Sequence, residues 1–364
     1  MAETTTPMMI QYKQLKQNHK DAILFFRLGD FYEMFEDDAR EASRILDITL
    51  TKRANVPMCG IPYHAAGSYI QRLVRAGKKI AVCEQIAMPT PGRGLATREV
   101  VQIITPGTLV DEGLLEQAAN NYLVAITSLH GRISLSYCDL STGRFAVTSF
   151  PLAEREQRLR CELYRLQPRE VVMDESLWET DSVLKRLVDE REDILVNRFP
   201  SWYFDPVSAW TRLSRQLNVV TLKGFGLSQD SAEVASAGAV LQYIEDTSKN
   251  MLPHIRNLQV YSEQNHVMLD ESTQRNLELV HNLQDGSRRY TLYEVLNHTK
   301  TAMGARRLYE WILSPLLDKD GITKRLECVN FFFRDQRVLS QVREKLSGIL
   351  DIERLSSRIA MDRA

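Results

Sequence analysis

Phe26-Arg27-Leu28-Gly29-Asp30-Phe31-Tyr32-Glu33-Met34-Phe35 is the stretch on which the reading of this 364-residue chain turns. It overlaps an apolar run, Ala22-Ile23-Leu24-Phe25-Phe26, that reads as a buried strand with Gly29-Asp30 as its stop. Over residues 32–46 the acids come early and Arg40 and Arg44 come late, which suits a helix dipole. The stretch is therefore expected at a strand-to-helix junction, with Phe31 and Glu33 two residues apart where the chain turns. Both would project from one edge. Two readings stay open. In one, Phe31 enters a weakened base step as a wedge, and Glu33 hydrogen-bonds a base edge, accepting, or donating if protonated near phosphates. In the other, Phe31 and Phe35 are core residues four apart and Glu33 is an acid at a helix N-terminus.

Outward from this junction, Met8, Met9, Tyr12 and Leu15 recur at helical spacing. Residues 48–50 read extended, Pro57, Gly60 and Pro62 mark a loop, and a helix over 68–76 closes at Gly77. Strands at 79–85 and 100–104 flank a loop containing Pro89, Pro91, Gly92 and Gly94. This is a small mixed α/β unit. From Asn121, extended runs at 122–129, 132–139 and 144–150 are joined by Gly131 and Ser141-Thr142-Gly143, which predicts a β-meander. Helix and strand then alternate: helix 152–166, strand 170–173, helix 182–189, strand 194–197, and helices 206–217 and 231–246. A meander followed by β/α alternation is the chain order of RNase-H-like folds. After Leu252-Pro253 the pattern turns helical, at 271–283, 291–297, 304–313, 319–334 and from 349 onward, with strand signals fading beyond Met268. Asp351 is the expected N-cap of the last helix, which runs toward Ala364 without a stop signal. The fold class is α/β and α. A small mixed α/β domain is expected at 1–110, a linker at 111–120, an RNase-H-like domain at 121–250 and a partial helical domain at 251–364. The chain reads as the N-terminal piece of a longer protein.

Composition bounds the function. Hydrophobic residues make up 44% and charged residues 26%, the usage of a soluble globular chain. Lys+Arg 46 against Asp+Glu 47 leaves -1, so whole-chain charge advertises neither nucleic acid nor an anionic membrane. Residues 1–105 hold 14 Lys and Arg against 11 Asp and Glu, a mild basic excess. No run approaches the roughly 18 apolar residues of a membrane span, and the start, Met1-Ala2-Glu3-Thr4-Thr5-Thr6-Pro7, lacks a signal-peptide pattern. The five cysteines (Cys59, Cys83, Cys138, Cys161, Cys328) are scattered and form no C-x-x-C pair, supporting neither a disulfide framework nor a zinc ribbon. A reduced, cytoplasmic, multidomain protein is expected.

Gly29-Asp30-Phe31-Tyr32-Glu33-Met34-Phe35 resembles the Phe-x-Glu mismatch-reading motif of the MutS family of DNA mismatch-repair proteins. Leu46-Asp47-Ile48-Thr49-Leu50-Thr51-Lys52-Arg53, Met58-Cys59-Gly60-Ile61-Pro62-Tyr63-His64-Ala65, Cys83-Glu84-Gln85 and Ile104-Thr105-Pro106-Gly107-Thr108 resemble the same family in the same order. Leu252-Pro253-His254-Ile255 and Thr273-Gln274-Arg275-Asn276-Leu277-Glu278 carry the likeness into the helical region, so it covers essentially the whole chain. The resemblance implies that Phe31 stacks on a mispaired base from the minor groove and that Glu33 hydrogen-bonds it, both from one subunit of a homodimer. It implies backbone or groove contacts for Arg53, Met58 and His64; Lys78, also a candidate for such a contact, is with Arg27 and Lys79 a weaker one, and for each of the three a solvated surface charge is at least as good a reading. Residues 121–250 would be a connector that docks MutL. The chain has no G-x-x-x-x-G-K-[ST] phosphate loop. ATP and Mg2+ are accordingly expected to belong to an ATPase domain of the full-length protein, and no catalytic residue, cofactor or metal is assigned here.

Other candidates have plainer readings. His64 lacks ligand spacing, and the resemblance places its loop beside Phe31, in a packing or groove-lining role. Trp202, Tyr203, Phe204 and Trp210 have no lysine or arginine between Trp202 and Trp210, so packing is preferred to a base-stacking platform. Asp139, Asp174 and Glu175 stand where an RNase-H-like nuclease would hold metal, and a metal-dependent nuclease is the alternative from another class. A partner-docking scaffold that does not bind DNA is the third. Gly224-Phe225-Gly226 lacks the frame of a dinucleotide site.

Overall fold

The computed structural model describes residues 6–87, 96–191, 193–248, 252–261 and 266–361. The expected loop around Pro89 to Gly94 lies outside them. The first unit is built from α1 (Pro7–Asn18), β1 (Ala22–Leu28), β2 (Phe31–Phe35), α2 (Glu36–Leu46), β3 (Thr51–Arg53), β4 (Val56–Pro62), α3 (Ala66–Arg75), β5 (Lys79–Ala87) and β6 (Thr97–Ile104). Its six strands lie in the order β3-β4-β2-β1-β5-β6, with β1 and β5 parallel and the other neighbours antiparallel. One face packs Phe25, Tyr32, Met34, Cys59 and Ile61 against α2 and α3. The other packs Leu24, Phe26, Phe35 and Cys83 against Met9 and Tyr12 of α1. Burial pushes the Cys59 thiol up to about 11 and Cys83 up to about 12, which leaves both as inert packing groups.

Three local expectations are overturned here. Residues 32–35 are strand, not the first turn of a helix; α2 begins at Glu36, with Glu36, Asp37 and Asp38 in its first turn. Tertiary pairing decides this, because β2 is held on both sides, by β1 and by β4. Asp38 then fixes the strand-to-helix corner by accepting from Leu24 N (3.0 Å), Lys16 Nζ (2.7 Å) and the Tyr12 hydroxyl (2.9 Å). Pro57, Gly60 and Pro62 lie within strand β4 rather than in a loop. Pro62 is its last residue, and Pro57 faces Lys52 of the three-residue edge strand β3, where a missing N–H is tolerated. Residues 48–50 precede β3 instead of forming a strand.

The second unit contains β7 (Leu123–Leu129), β8 (Arg132–Asp139), β9 (Arg144–Pro151), α4 (Arg155–Leu166), β10 (Glu170–Asp174), α5 (Glu175–Thr180), α6 (Ser182–Asp189), β11 (Leu195–Phe199), α7 (Pro206–Leu217), α8 (Ala232–Ser248) and β12 (Gln259–Val260). The predicted meander forms as β7-β8-β9, and β10 and β11 add in parallel beside β7. The sixth strand, β12, joins β9 from beyond residue 250. Helices α4 and α6 cover one face of the sheet and α7 and α8 the other. Tyr203 and Phe204 are core residues and Trp210 packs against that core, as read from the sequence, whereas Trp202 is exposed.

Helices α9 (Glu271–Asn276), α10 (Leu292–Leu296), α11 (Ala302–Leu313), α12 (Lys319–Arg334), α13 (Gln336–Ser347) and α14 (Ile352–Ala360) follow. The helix expected over 271–283 stops at Asn276. Beyond it Asn282 Oδ1 accepts the N–H groups of Gln284, Asp285 and Gly286, a turn in place of helical bonds. Asp351 caps α14 at Arg354 N as expected. No helix among the described residues is long and apolar enough to cross a membrane.

Candidate nucleic-acid interface

Strand alternation, not a turn, puts Phe31 and Glu33 on one face. In register, Phe31 pairs with Pro62 and Leu28, Glu33 with Gly60 and Phe26, and Phe35 with Met58. The face therefore carries Phe31, Glu33, Gly60 and Met58 together, and Thr51, opposite Met58, extends it onto β3. Helix α1 covers this face at Phe26 and Phe35, where the Tyr12 ring meets both edge-on at 5.7 and 5.1 Å. Phe31 lies outside that cover and is 47% exposed. A single exposed aromatic is ordinary. Here it stands two residues from a carboxylate, on the part of the face that α1 leaves open.

The carboxylate is already engaged. Glu33 Oε2 accepts from Arg53 Nη1 at 3.1 Å. Gly60, beside Glu33 on β4, contributes no side chain. A Cβ there would stand 3.6 Å from Glu33 Cγ and 3.9 Å from Phe31 Cδ1, so the absence of one leaves clearance between the two side chains. The chain after β4 is tied to the β1–β2 turn by Tyr63 N donating to Asp30 O at 3.0 Å. The guanidinium carbon of Arg27 sits 3.6 Å from the centroid of the Tyr63 ring, while Arg27 Nε donates to Gly29 O at 2.5 Å. On the opposite face Tyr32 donates to Glu84. Burial, then that hydrogen bond, pushes the phenol up to about 12, so it stays a neutral donor at working pH.

Of the residues expected from sequence, Phe31, Glu33, Arg53 and Met58 share one face, and His64 lies just past Pro62, exposed, with its ring edge-on to Tyr63 at 5.8 Å. Lys78 does not join them. It precedes β5, whose first residue, Lys79, pairs with Ala22 at the far end of β1 from Leu28 and Phe31. Six residues of strand separate the two ends by about 20 Å. There Lys78 pairs with Glu41 at 2.6 Å and Lys79 with Asp21 at 2.5 Å. Arg27, in register with Tyr32, lies on the opposite face, where it pairs with Glu84 at 3.9 Å and stacks on Tyr63, and is not a free surface cation. Gly60 and Tyr63 had no role assigned from the sequence, and they come here because Val56–Pro62 is a strand paired with β2.

The acids of the second sheet are otherwise occupied. Asp139 accepts from Asn121 N (3.2 Å), Ser141 N (2.9 Å) and Ser141 Oγ (2.7 Å). Asp174 caps α5 at Ser176 N (2.9 Å) and accepts from Ser201 Oγ (3.0 Å). Among the described residues no three His, Cys, Asp or Glu side chains are grouped to hold a metal ion. Gly226 ends a short turn with φ +78°, which accounts for the second glycine of Gly224-Phe225-Gly226 without a ligand.

Comparison with known proteins agrees with this arrangement. Three family models match in succession: MutS domain I over residues 6–113, MutS domain II over 121–256 and MutS domain III over 272–364. The DNA mismatch repair protein MutS of Treponema denticola is 48% identical over 373 residues, covering 100% of this chain and 42% of that protein. The protein of the same name from Borrelia hermsii is 43% identical over 361 residues, covering 99% of this chain and 41% of its own length. That from Treponema pallidum is 39% identical over 359 residues, covering 99% and 40%. The chain thus spans about two fifths of the length of these curated relatives. With MutS domains I, II and III in order along its length, and with the Phe31/Glu33 face in the first of them, the chain belongs to the MutS family.

Proposed function

We propose that this protein recognises mispaired and unpaired bases in duplex DNA and thereby initiates mismatch repair. Phe31 is the wedge and Glu33 the hydrogen-bonding group. The observation that carries the reading is the half-exposed Phe31 ring beside a carboxylate on one face of β2, clear of the cover that α1 gives Phe26 and Phe35. A mispair is poorly stacked and bends easily, so inserting a ring there costs less than at a paired step. Selectivity is then a difference in deformation energy, and a near-neutral chain suffices. The name shared by the relatives, DNA mismatch repair protein, supports the same reading.

The proposal extends to the intact protein. ATP with Mg2+ would drive a homodimeric clamp, in parts of the relatives that lie beyond the two fifths matched here, and a surface of residues 121–250 would dock MutL. The test of the core claim is binding of the intact protein to a mispaired duplex and to its matched counterpart. Phe31→Ala removes one aromatic–base stack, so affinity for the mispair falls by about 5- to 150-fold while matched-duplex affinity stays within about twofold. Discrimination unchanged in Phe31→Ala would overturn the assignment.

A further inference from the structure

We propose that Arg53 is a positioning and specificity-determining residue whose guanidinium alternates between the Glu33 carboxylate and a backbone phosphate, so that its phosphate contact depends on Glu33 having found a base. The inference rests on the reading of this face as the mispair reader and adds a coupling within it. Arg53 Nη1 lies 3.1 Å from Glu33 Oε2, with the Arg53 side chain 54% exposed and that of Glu33 17% exposed. The carboxylate is the sheltered partner and the cation the one open to solvent. The pair also crosses strands, since Arg53 is on β3, Glu33 is on β2, and β4 runs between them. Closing it spans two strand spacings, about 10 Å, which the two side chains bridge between them over β4.

Three facts give the pair a role on DNA. Glu33 is two residues from Phe31 on the same face, so a ring inserted at a mispair brings the carboxylate to the neighbouring base edges. A bare carboxylate approaching a polyanion is repelled, and Arg53 offsets that repulsion while the two are joined. The guanidinium is the better phosphate ligand once released, because its fork accommodates phosphate oxygens two at a time. On a matched duplex the step stays stacked, the Phe31 ring does not enter and Glu33 is not carried to a base edge, so it keeps Arg53 and the phosphate contact is not made. On a mispair Glu33 takes the base, and Arg53 passes to the backbone. One cation is thereby counted in binding only when the base is wrong.

The experiment measures affinities of the intact protein for a mispaired and a matched duplex across a salt series, in the parent, Glu33→Gln, Arg53→Met, the double variant and Arg53→Lys. In the parent, the salt slope on mispaired DNA exceeds that on matched DNA by about one counterion, roughly 0.9 in log–log units. Arg53→Met abolishes that difference and Arg53→Lys restores it in part. Glu33→Gln frees Arg53 on every duplex and raises matched-duplex affinity about fivefold, the upper end for a partly exposed ion pair. In the Arg53→Met background the same change frees no cation, so the matched-duplex salt slope stays where it was, whereas in the parent it rises by about 0.9. Equal effects of Glu33→Gln with and without Arg53, or equal salt slopes on the two duplexes in the parent, would overturn the exchange. Loss of discrimination in Phe31→Ala, with the Glu33 and Arg53 effects uncoupled, would overturn it alone and leave the mispair-reading assignment standing.

Discussion

Glu170→Gln is the perturbation for which the structure sets the sharpest magnitude. Glu170 is fully buried at the start of β10, and its carboxylate meets four donors and no cation. Oε2 accepts from Thr105 Oγ1 at 2.5 Å and Gly107 N at 2.8 Å. Oε1 accepts from Asn197 Nδ2 at 2.6 Å and from the Tyr243 hydroxyl, whose ionisation is pushed well above the ordinary range by burial and then by the carboxylate itself. Each oxygen thus serves one hydroxyl and one N–H. A glutamine can donate to either hydroxyl, which rotates to accept, but whichever oxygen it replaces leaves an N–H of Gly107 or Asn197 facing an N–H. One buried unpaired donor and the loss of a charged acceptor together cost about 2–4 kcal/mol. Thr105→Val removes a single hydroxyl and costs about 1 kcal/mol. Urea unfolding followed by tryptophan fluorescence reads both, since Trp178, Trp202 and Trp210 all lie in this unit. A Glu170→Gln protein within about 0.5 kcal/mol of the parent would refute the claim that neutral donors alone satisfy this carboxylate.

Gly238→Ala tests the approach of α7 and α8. A Cβ at 238 would fall 2.2 Å from Ala209 Cβ and 2.7 Å from its Cα, so the helices must separate; the cost is about 3 kcal/mol or more, read as a fall in the urea midpoint. Arg306→Met tests the buried pair between α11 and α14. Arg306 is 3% exposed and forks onto Asp351 at 2.6 and 2.9 Å, so its removal costs about 3–5 kcal/mol in the same assay. Burial works to raise the Asp351 carboxyl, but the hydrogen bonds and charge of Arg306 outweigh it and hold the group below its ordinary range. A depressed folded pKa contributes stability above the unfolded value of about 3.9 and loses it as pH falls. The parent should therefore lose stability more steeply than Arg306→Met when unfolding is compared between pH 5 and pH 3.

What the sequence disclosed followed the range of the interactions involved. The meander 123–151 was legible because its turns, Gly131 and Ser141-Thr142-Gly143, and its alternation are local signals. β2 was not. Glu33 extended the acidic start of α2 backwards, and only the ladders to β1 and β4, made by residues up to 31 positions away, hold Phe31–Phe35 extended. Prolines and a glycine disguised β4 in the same way. Helix α13 went unseen behind α12, although Asp335, which caps it at Val338 N, was a readable start signal. At the site, motif likeness picked out Phe31 and Glu33. The Glu33–Arg53 pair crosses an intervening strand and has no local signature. The distance of Lys78 from Phe31 was illegible for a related reason: nothing in Gly77-Lys78-Lys79 says that β5 begins beside Ala22, a strand's length away.

The same distinction explains Ile104-Thr105-Pro106-Gly107-Thr108, which reads as a conspicuous motif yet carries no group toward the Phe31 face. Its work is to seat the chain leaving the first sheet on the second. Gly107 leaves no room for a side chain, since a Cβ would lie 2.8 Å from Glu170 Cβ. The segment that follows is gripped from the helical region. Arg306 donates to Gln117 O at 3.0 Å, Arg354 to Glu116 O at 3.0 Å and Ala119 O at 2.6 Å, and Arg358 pairs with Glu112 at 3.0 Å. Residues 111–120, expected as a linker, therefore do not behave as a flexible tether in the sense of a solvated Gly/Ser chain. Their carbonyls are spent on buried guanidinium groups of α11 and α14, and their entry is clamped on Glu170. A displacement of the Phe31 face therefore meets these contacts where the chain passes from the first unit to the second.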